Sequence, residues 1–70
     1  MEYTNSLIRS LIAEHLHSLR DRQVLLDRLV DGLTFEALAE KYGMSDRQIK
    51  TIVYKAERIL YKHLPDEASL

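Results

Sequence analysis

Residues 35 to 54, FEALAEKYGMSDRQIKTIVY, hold four positions whose side chains suit two short helices crossing at a tight turn. The fifth residue of this stretch is Ala39, and a small side chain is needed where two such helices approach most closely. The ninth is Gly43, which adopts a positive φ at little cost. The fifteenth and eighteenth, Ile49 and Ile52, bring apolar groups from the second helix onto the first. This spacing predicts a helix-turn-helix motif at residues 35–54.

The remainder of the chain also has helical spacing and few residues that interrupt a helix. It holds two glycines, one proline and no cysteine, and its Val, Ile and Thr residues do not alternate as they do in strands. We therefore predict an all-α fold. A single four-helix domain is expected at residues 1–64, with the helix-turn-helix at its C-terminal end. A disordered tail is expected at residues 65–70, because Pro65 stops the last helix.

Caps and apolar stripes place the four helices. The first is predicted from Asn5 to about His17, the second from Leu19 to about Val30, and the third from Phe35 to about Tyr42. The fourth follows and runs to about His63. The predicted N-caps are Thr4 or Asn5, Ser18, Thr34 and Ser45, with Gln48 completing a capping box at the last. One continuous helix from Asn5 to Val30 is the alternative to a break at Ser18.

Charge is distributed unevenly along a chain whose net charge is −1. Residues 1–40 hold four Lys or Arg against seven Asp or Glu, whereas residues 41–64 hold six against two. Contact with phosphate depends on local charge, so the basic part of the chain is the candidate nucleic-acid surface. A solvated basic helix face without such a role is the alternative.

The outward face of the fourth helix offers side chains that suit DNA. Hydrogen-bond donors for base edges and cations for phosphates both occur there. The predicted base-reading residues are Arg47, Gln48, Lys50, Thr51 and Tyr54. The predicted phosphate-binding cations are Lys55, Arg58 and Lys62. A helical hairpin that binds no nucleic acid has the same steric pattern, so these outward residues carry the DNA prediction.

From Ser18 to Leu64 the sequence resembles region 4 of bacterial sigma-70-type transcription factors, especially the extracytoplasmic-function group. The resemblance rests on VLLDR at 24–28, DGLTFEALAEKYGMS at 31–45 and IKTIVYKAERIL at 49–60. The first helix also matches the opening helix of region 4 in place. Response-regulator effector domains with the same three-helix core are a second match, poorer through the last helix.

The resemblance implies a domain that binds promoter DNA near the −35 element, with the fourth helix in the major groove. It implies that Thr34, at the start of the third helix, adds a backbone amide contact to a phosphate. It also implies RNA polymerase as a partner. Seventy residues cannot contain the separate region 2 of a complete sigma factor. We therefore expect a stand-alone regulator, one half of a split sigma factor, or a small gene product of a phage or mobile element.

Two classes of partner other than DNA are open. The first helix carries more apolar surface than one thin domain needs. Either this helix simply covers the helix-turn-helix, or part of it is shared, in a homodimer through this N-terminal helix or, as the rival, in contact with RNA polymerase. A protein-interaction module that binds RNA polymerase or a sigma or anti-sigma partner, with little DNA affinity, is thus the alternative function.

Several other functions are not expected. The sequence has no nucleophile–base arrangement, glycine-rich phosphate loop or carboxylate pair, so we expect no enzyme and no cofactor. We expect no metal site either, because His15 and His17 are two residues apart and face different sides of a helix; both are expected at the surface. No apolar run approaches the roughly 20 residues that span a bilayer. The N-terminus lacks the positive charge of a signal peptide, so we expect a cytoplasmic protein that does not enter a membrane.

Overall fold

The computed structural model describes residues 4–64, which form four α-helices and no strand. The helices are α1 (Asn5–His15), α2 (Leu19–Leu29), α3 (Phe35–Tyr42) and α4 (Asp46–Tyr61). The all-α prediction is confirmed for these residues, and so is the break between the first two helices. The predicted disordered tail at residues 65–70 lies outside the described residues.

The corner between α1 and α2 explains why α1 ends two residues before the predicted His17. At Leu16 the backbone turns extended, with φ −107° and ψ 126°. The guanidinium of Arg22 reaches back from α2 and donates to the carbonyls of Ala13, at 2.8 Å, and Leu16. These bonds satisfy carbonyls that a helix end leaves without an intrahelical partner. Arg22 thereby joins the two helices.

The two other differences in helix length are small. α2 ends at Leu29 instead of Val30, and α4 ends at Tyr61 instead of His63. The chain continues as a turn in both places. At the second, the amide of His63 donates to the carbonyl of Leu60 at 2.9 Å, which is the shorter i to i−3 bond that often closes a helix.

Each helix begins at a hydroxyl side chain that accepts a hydrogen bond from the backbone amide three residues later. The caps are Thr4, Ser18, Thr34 and Ser45, at 3.0 to 3.3 Å from their donors. At α4 the side chain of Gln48 also accepts a bond from the amide of Ser45 at 3.0 Å, which confirms the predicted capping box. The helix starts are therefore specified locally.

A three-residue turn that begins at Gly43 joins α3 to α4, at the predicted position. Gly43 has φ 64°. The amide of Met44 donates to the carbonyl of Ala39 at 2.9 Å, and the amide of Gly43 to that of Glu40 at 3.4 Å. This is the Schellman arrangement, which needs a left-handed residue at this point. Gly32, between α2 and α3, is also left-handed.

The core lies where α4 contacts each of the other three helices. Its buried members are Leu11, Ile12, Leu16, Val24, Leu25, Leu38, Ala39, Ile49, Val53, Ala56 and Leu60. Ile52, predicted to face inward, is half-buried and packs against this cluster. Burying one face of α4 in this way leaves the opposite face to the solvent. No helix within residues 4–64 has the length and apolar character to cross a membrane.

Two histidines join the end of α1 to the end of α4. The rings of His15 and His63 stack with their centroids 3.6 Å apart and their planes 4° from parallel. The expectation that His15 is a surface residue is wrong, since it is half-buried. Helical spacing placed His15 away from the apolar stripe. It carried no information about the ring of His63, which follows the end of α4. His17 is exposed as expected.

Candidate nucleic-acid interface

All of the residues predicted to contact DNA are exposed. Seven lie on α4, Lys62 follows directly after it, and Thr34 caps α3. The seven on α4 are Arg47, Gln48, Lys50, Thr51, Tyr54, Lys55 and Arg58. The structure thus places the predicted residues on α4, directly after it, and at the start of α3. Contact with DNA itself stays a prediction.

A polar stripe runs the whole length of α4, opposite its buried side. Its members are spaced by three or four residues, which places them on one face; they are Arg47, Thr51, Tyr54, Arg58 and Lys62. At 1.5 Å per residue the stripe is roughly 22 Å long. That length exceeds the roughly 12 Å width of the major groove. The stripe is therefore long enough for one end to reach base edges in such a groove and for the other to reach its phosphate backbone.

The cations of this stripe are not neutralised by acids in the described part of the chain. The ion pairs within residues 4–64 are Arg20–Asp21 and Lys41–Asp27, and the imidazole of His15 lies 3.8 Å from the carboxylate of Glu14. None of them uses a cation on the exposed face of α4. Lys41, counted above in the basic half of the chain, is instead committed to the carboxylate of Asp27 at 2.8 Å. The positive charge of the surface therefore comes from α4 and the residue after it.

The backbone engages two of the predicted base-reading residues. The carbonyl oxygen of the Gln48 side chain accepts the bond from Ser45, which leaves its amide nitrogen as the group that can face a base. The hydroxyl of Thr51 donates to the carbonyl of Arg47 at 3.0 Å. Its oxygen lone pairs and its methyl group remain available. Both side chains are thus held in one orientation by bonds to backbone groups.

The ring of Phe35 lies beside two other predicted base-reading residues. The Lys50 ammonium is 5.7 Å from the centre of the ring, and Tyr54 meets the ring edge-on with centroids 5.8 Å apart and planes at 75°. The guanidinium carbon of Arg28, from α2, lies 4.2 Å from the same centre. Arg28 also donates to the carbonyl of Leu33 at 2.8 Å. Phe35 therefore links three helices, a role that sequence spacing did not reveal.

Arg20 is a further cation beside the exposed face of α4, and the sequence prediction missed it. A hollow of about 340 Å³ lies between the start of α2 and the start of α4. It is lined by Arg20, Met44, Arg47, Gln48, Thr51 and Ile52. Arg20 pairs with Asp21 at 3.2 Å. It belongs to the acidic half of the sequence, so only the packing of α2 against α4 brings it near Arg47.

A buried carboxylate joins α2 to α3 away from this surface. Asp27 is 2% exposed and accepts bonds from Lys41 at 2.8 Å, from Gln23 at 3.2 Å and from the Tyr42 hydroxyl. Burial by itself raises the pKa of Asp27, but these bonds outweigh it and hold the pKa below its ordinary value. Burial and the bond to Asp27 raise the pKa of Tyr42 to about 12. This cluster stabilises the fold.

An apolar groove of about 240 Å³ opens where α1, α2 and the end of α4 meet. It is lined by Ile8, Leu11, Leu29, Leu60, Tyr61 and Leu64. The groove includes the half-buried side of the first helix, which is rich in apolar residues. Among residues 4–64 there is no group of three or more His, Asp or Glu side chains that could hold a metal ion.

These features define an all-α four-helix domain with an exposed basic helix face and a separate apolar groove. Comparison of the chain with protein-family models, curated proteins and solved structures finds no match. The resemblance to sigma region 4 stays a prediction that rests on the residues quoted above.

Proposed function

We propose that this chain is a small sequence-specific DNA-binding transcription regulator that inserts α4 into the major groove of promoter or operator DNA. The observation that carries this proposal is the stripe on α4, which is exposed along its length and free of acidic partners within residues 4–64. Donors at its N-terminal end suit base edges, and cations beyond them suit phosphates. No catalytic role is part of the proposal.

The contacts divide by position on the helix. Base reading is assigned to the N-terminal half of α4, through Arg47, Gln48, Lys50, Thr51 and Tyr54. Phosphate binding is assigned to Lys55, Arg58 and Lys62, with Thr34 and the first amides of α3 beside the backbone. Arg20 extends the phosphate contacts from the other side of the hollow. We propose region 4 of sigma-70-type factors as the family, on the sequence motifs at residues 24–28, 31–45 and 49–60 alone.

Salt dependence follows from the number of phosphates neutralised. Lys55, Arg58 and Lys62 give a slope of about −2.7 in log affinity against log salt, and Arg20 is left out of the count because Asp21 offsets its charge. Binding is then about 40-fold weaker at 200 mM than at 50 mM salt. A flat response in a gel-shift titration contradicts the proposal.

The direct test is a selection of bound sequences from random DNA, followed by titration of the best site. Arg47→Ala combined with Lys50→Ala removes two base-reading residues and is expected to abolish binding. Arg9→Ala removes an exposed cation from α1 and is the control, with binding near that of the wild type. Circular dichroism checks that the variants remain helical. Selection of no common sequence, or unchanged binding by the double variant, refutes the proposal.

A protein-interaction module is the second candidate, and the apolar groove favours it. RNA polymerase or a sigma or anti-sigma partner would cover the groove at Ile8 and Tyr61. Capture of RNA polymerase that survives Arg47→Ala with Lys50→Ala, and is lost with Ile8→Asp, supports this function. A homodimer through α1 would cover the same residues. It predicts a footprint with two half-sites about 34 Å apart and twice the monomer mass in sedimentation.

A further inference from the structure

We infer that Phe35 is a positioning residue. By orienting Lys50 and Tyr54, it sets the base preference of the exposed face of α4. The inference rests on the proposed DNA-binding function. It assigns to a half-buried side chain of α3 a part in choosing the sequence that α4 reads. Phe35 itself contacts no base in this scheme, because its ring lies between α2, α3 and α4.

The contacts around the ring are specific in direction. Lys50 and Tyr54 are four residues apart, so they project from the same side of α4, and both lie within 6 Å of the Phe35 ring centre. An aromatic ring attracts a cation toward its negative face, and two rings pair edge to face because the edge is positive. The interplanar angle of 75° is of the edge-on kind. Each side chain is thus drawn toward one orientation.

The ring is itself held in place from α2. Arg28 lies over it at 4.2 Å and is fixed by its bond to the Leu33 carbonyl. A mobile ring would transmit no preference to α4. Because Arg28 and the surrounding core restrain it, the ring acts as a fixed reference against which Lys50 and Tyr54 are set.

The expected size of the effect is moderate. An exposed cation–π contact shifts the population of a side chain by a factor of about 2 to 5. Immobilising one long side chain on binding reduces affinity by a factor of about 2 to 10, and a side chain already oriented avoids that loss. Removing the ring should therefore weaken binding to the best site by about 2- to 10-fold.

The test compares base preferences among variants. Single-base variants of the best site first compete for binding to the wild type and to Lys50→Ala. The base pair that Lys50 reads is the position at which Lys50→Ala no longer discriminates among these variants. Phe35→Leu keeps an apolar side chain and removes the ring, and is expected to flatten the preference at that same base pair. Phe35→Tyr keeps the ring and is expected to restore it. The salt slope should stay unchanged in both, because the phosphate contacts remain.

A purely structural role for Phe35 gives a different result. Loss of stability lowers the affinity for every sequence by the same factor, in proportion to the folded fraction measured by circular dichroism. Phe35→Leu with wild-type base preferences therefore overturns the inference while leaving the proposed function standing. Failure of the wild-type protein to select any sequence refutes the proposed function instead.

A measurement without DNA tests the geometry even if Phe35→Leu does not fold. In the wild-type protein the ring current of Phe35 should shift the ε-methylene protons of Lys50 upfield of those of Lys62, whose ammonium lies over no aromatic ring among residues 4–64. Phe35→Tyr should preserve this shift. Equal chemical shifts for the two lysines in the wild type overturn the inference.

Discussion

Replacing Asp27 by Asn is expected to destabilise the domain more than any other isosteric change at a carboxylate within residues 4–64. The Asp27 side chain is buried and accepts bonds from Lys41, Gln23 and Tyr42. Asn keeps the size of the side chain but removes its charge. It also turns one acceptor oxygen into a donor nitrogen, which then faces a donor of one of the three partners.

The magnitude follows from these bonds. A hydrogen bond to a charged group contributes about 1.5 to 3 kcal/mol, and one between neutral groups about 0.5 to 1.5 kcal/mol. The bond from Tyr42 becomes one between neutral groups and loses about 1 kcal/mol. The half-exposed ion pair with Lys41 is lost at a cost of up to about 1 kcal/mol, so the expected total is about 2 kcal/mol. Seventy residues have a total stability of roughly 4 to 10 kcal/mol. The midpoint of thermal unfolding should fall by about 10 °C.

The loss should depend on pH in one direction. The folded-state pKa of Asp27 lies below its ordinary value. Its carboxylate therefore stabilises the folded state fully above the unfolded pKa of about 3.9, and this contribution is lost as the pH falls through the lower folded pKa. The gap between wild type and Asp27→Asn should be complete at pH 7 and should shrink below about pH 4.

Thermal unfolding, followed by circular dichroism at pH 7 and again below about pH 3, checks this reasoning. Asp31→Asn makes the same change at an exposed position in the turn after α2 and is the matched control, with a midpoint near that of the wild type at pH 7. If Asp27→Asn unfolds within about 2 °C of the wild type at pH 7, the three bonds do not stabilise the fold as argued. An equally large gap at pH 7 and below pH 3 refutes the assignment to an ionised carboxylate.

Three further changes test the local structure by the same thermal unfolding. Arg22→Ala removes the bonds to the carbonyls of Ala13 and Leu16 and should cost about 1 to 3 kcal/mol; a cost near zero refutes its role at the corner. Gly43→Ala places a Cβ at φ 64° with open space around it, so backbone strain alone should cost about 1 kcal/mol. Ser45→Ala removes the N-cap of α4 and should cost about 0.5 to 2 kcal/mol, and an unchanged midpoint contradicts the capping geometry.

Short-range chemistry in the sequence predicted much of the fold. Hydroxyl caps and left-handed glycines act within a few residues of their own position, so the starts of the helices and the turn at Gly43 could be read directly. Apolar spacing likewise predicted the buried side of α4, including Ile49 and Val53. The exposure of Arg47 and Arg58 follows from the same spacing, because the face opposite a buried stripe is open to solvent.

Contacts made by long side chains across helices were beyond such reasoning. Arg22 and Arg28 each bind a backbone carbonyl five or more residues away in sequence. The helical spacing of apolar residues does not predict such contacts. Asp27 looked like an ordinary polar position of α2, yet Lys41 and Tyr42 of α3 make its burial possible. Arg20 lies beside the exposed face of α4 for the same reason, because α2 packs against a helix that is distant in sequence.

The hydroxyl at the start of every helix has a consequence for how quickly the chain folds. A helix whose first turn is specified by the residue before it can begin to form without a distant partner. Chains in which most contacts are local in this way, such as small helical domains, fold in microseconds to milliseconds. The docking of α1 onto the end of α4, where His15 meets His63, closes the widest span of sequence. We expect this docking to be the last step of folding. The backbone amides of α1 should then be less protected from hydrogen exchange than those of α4.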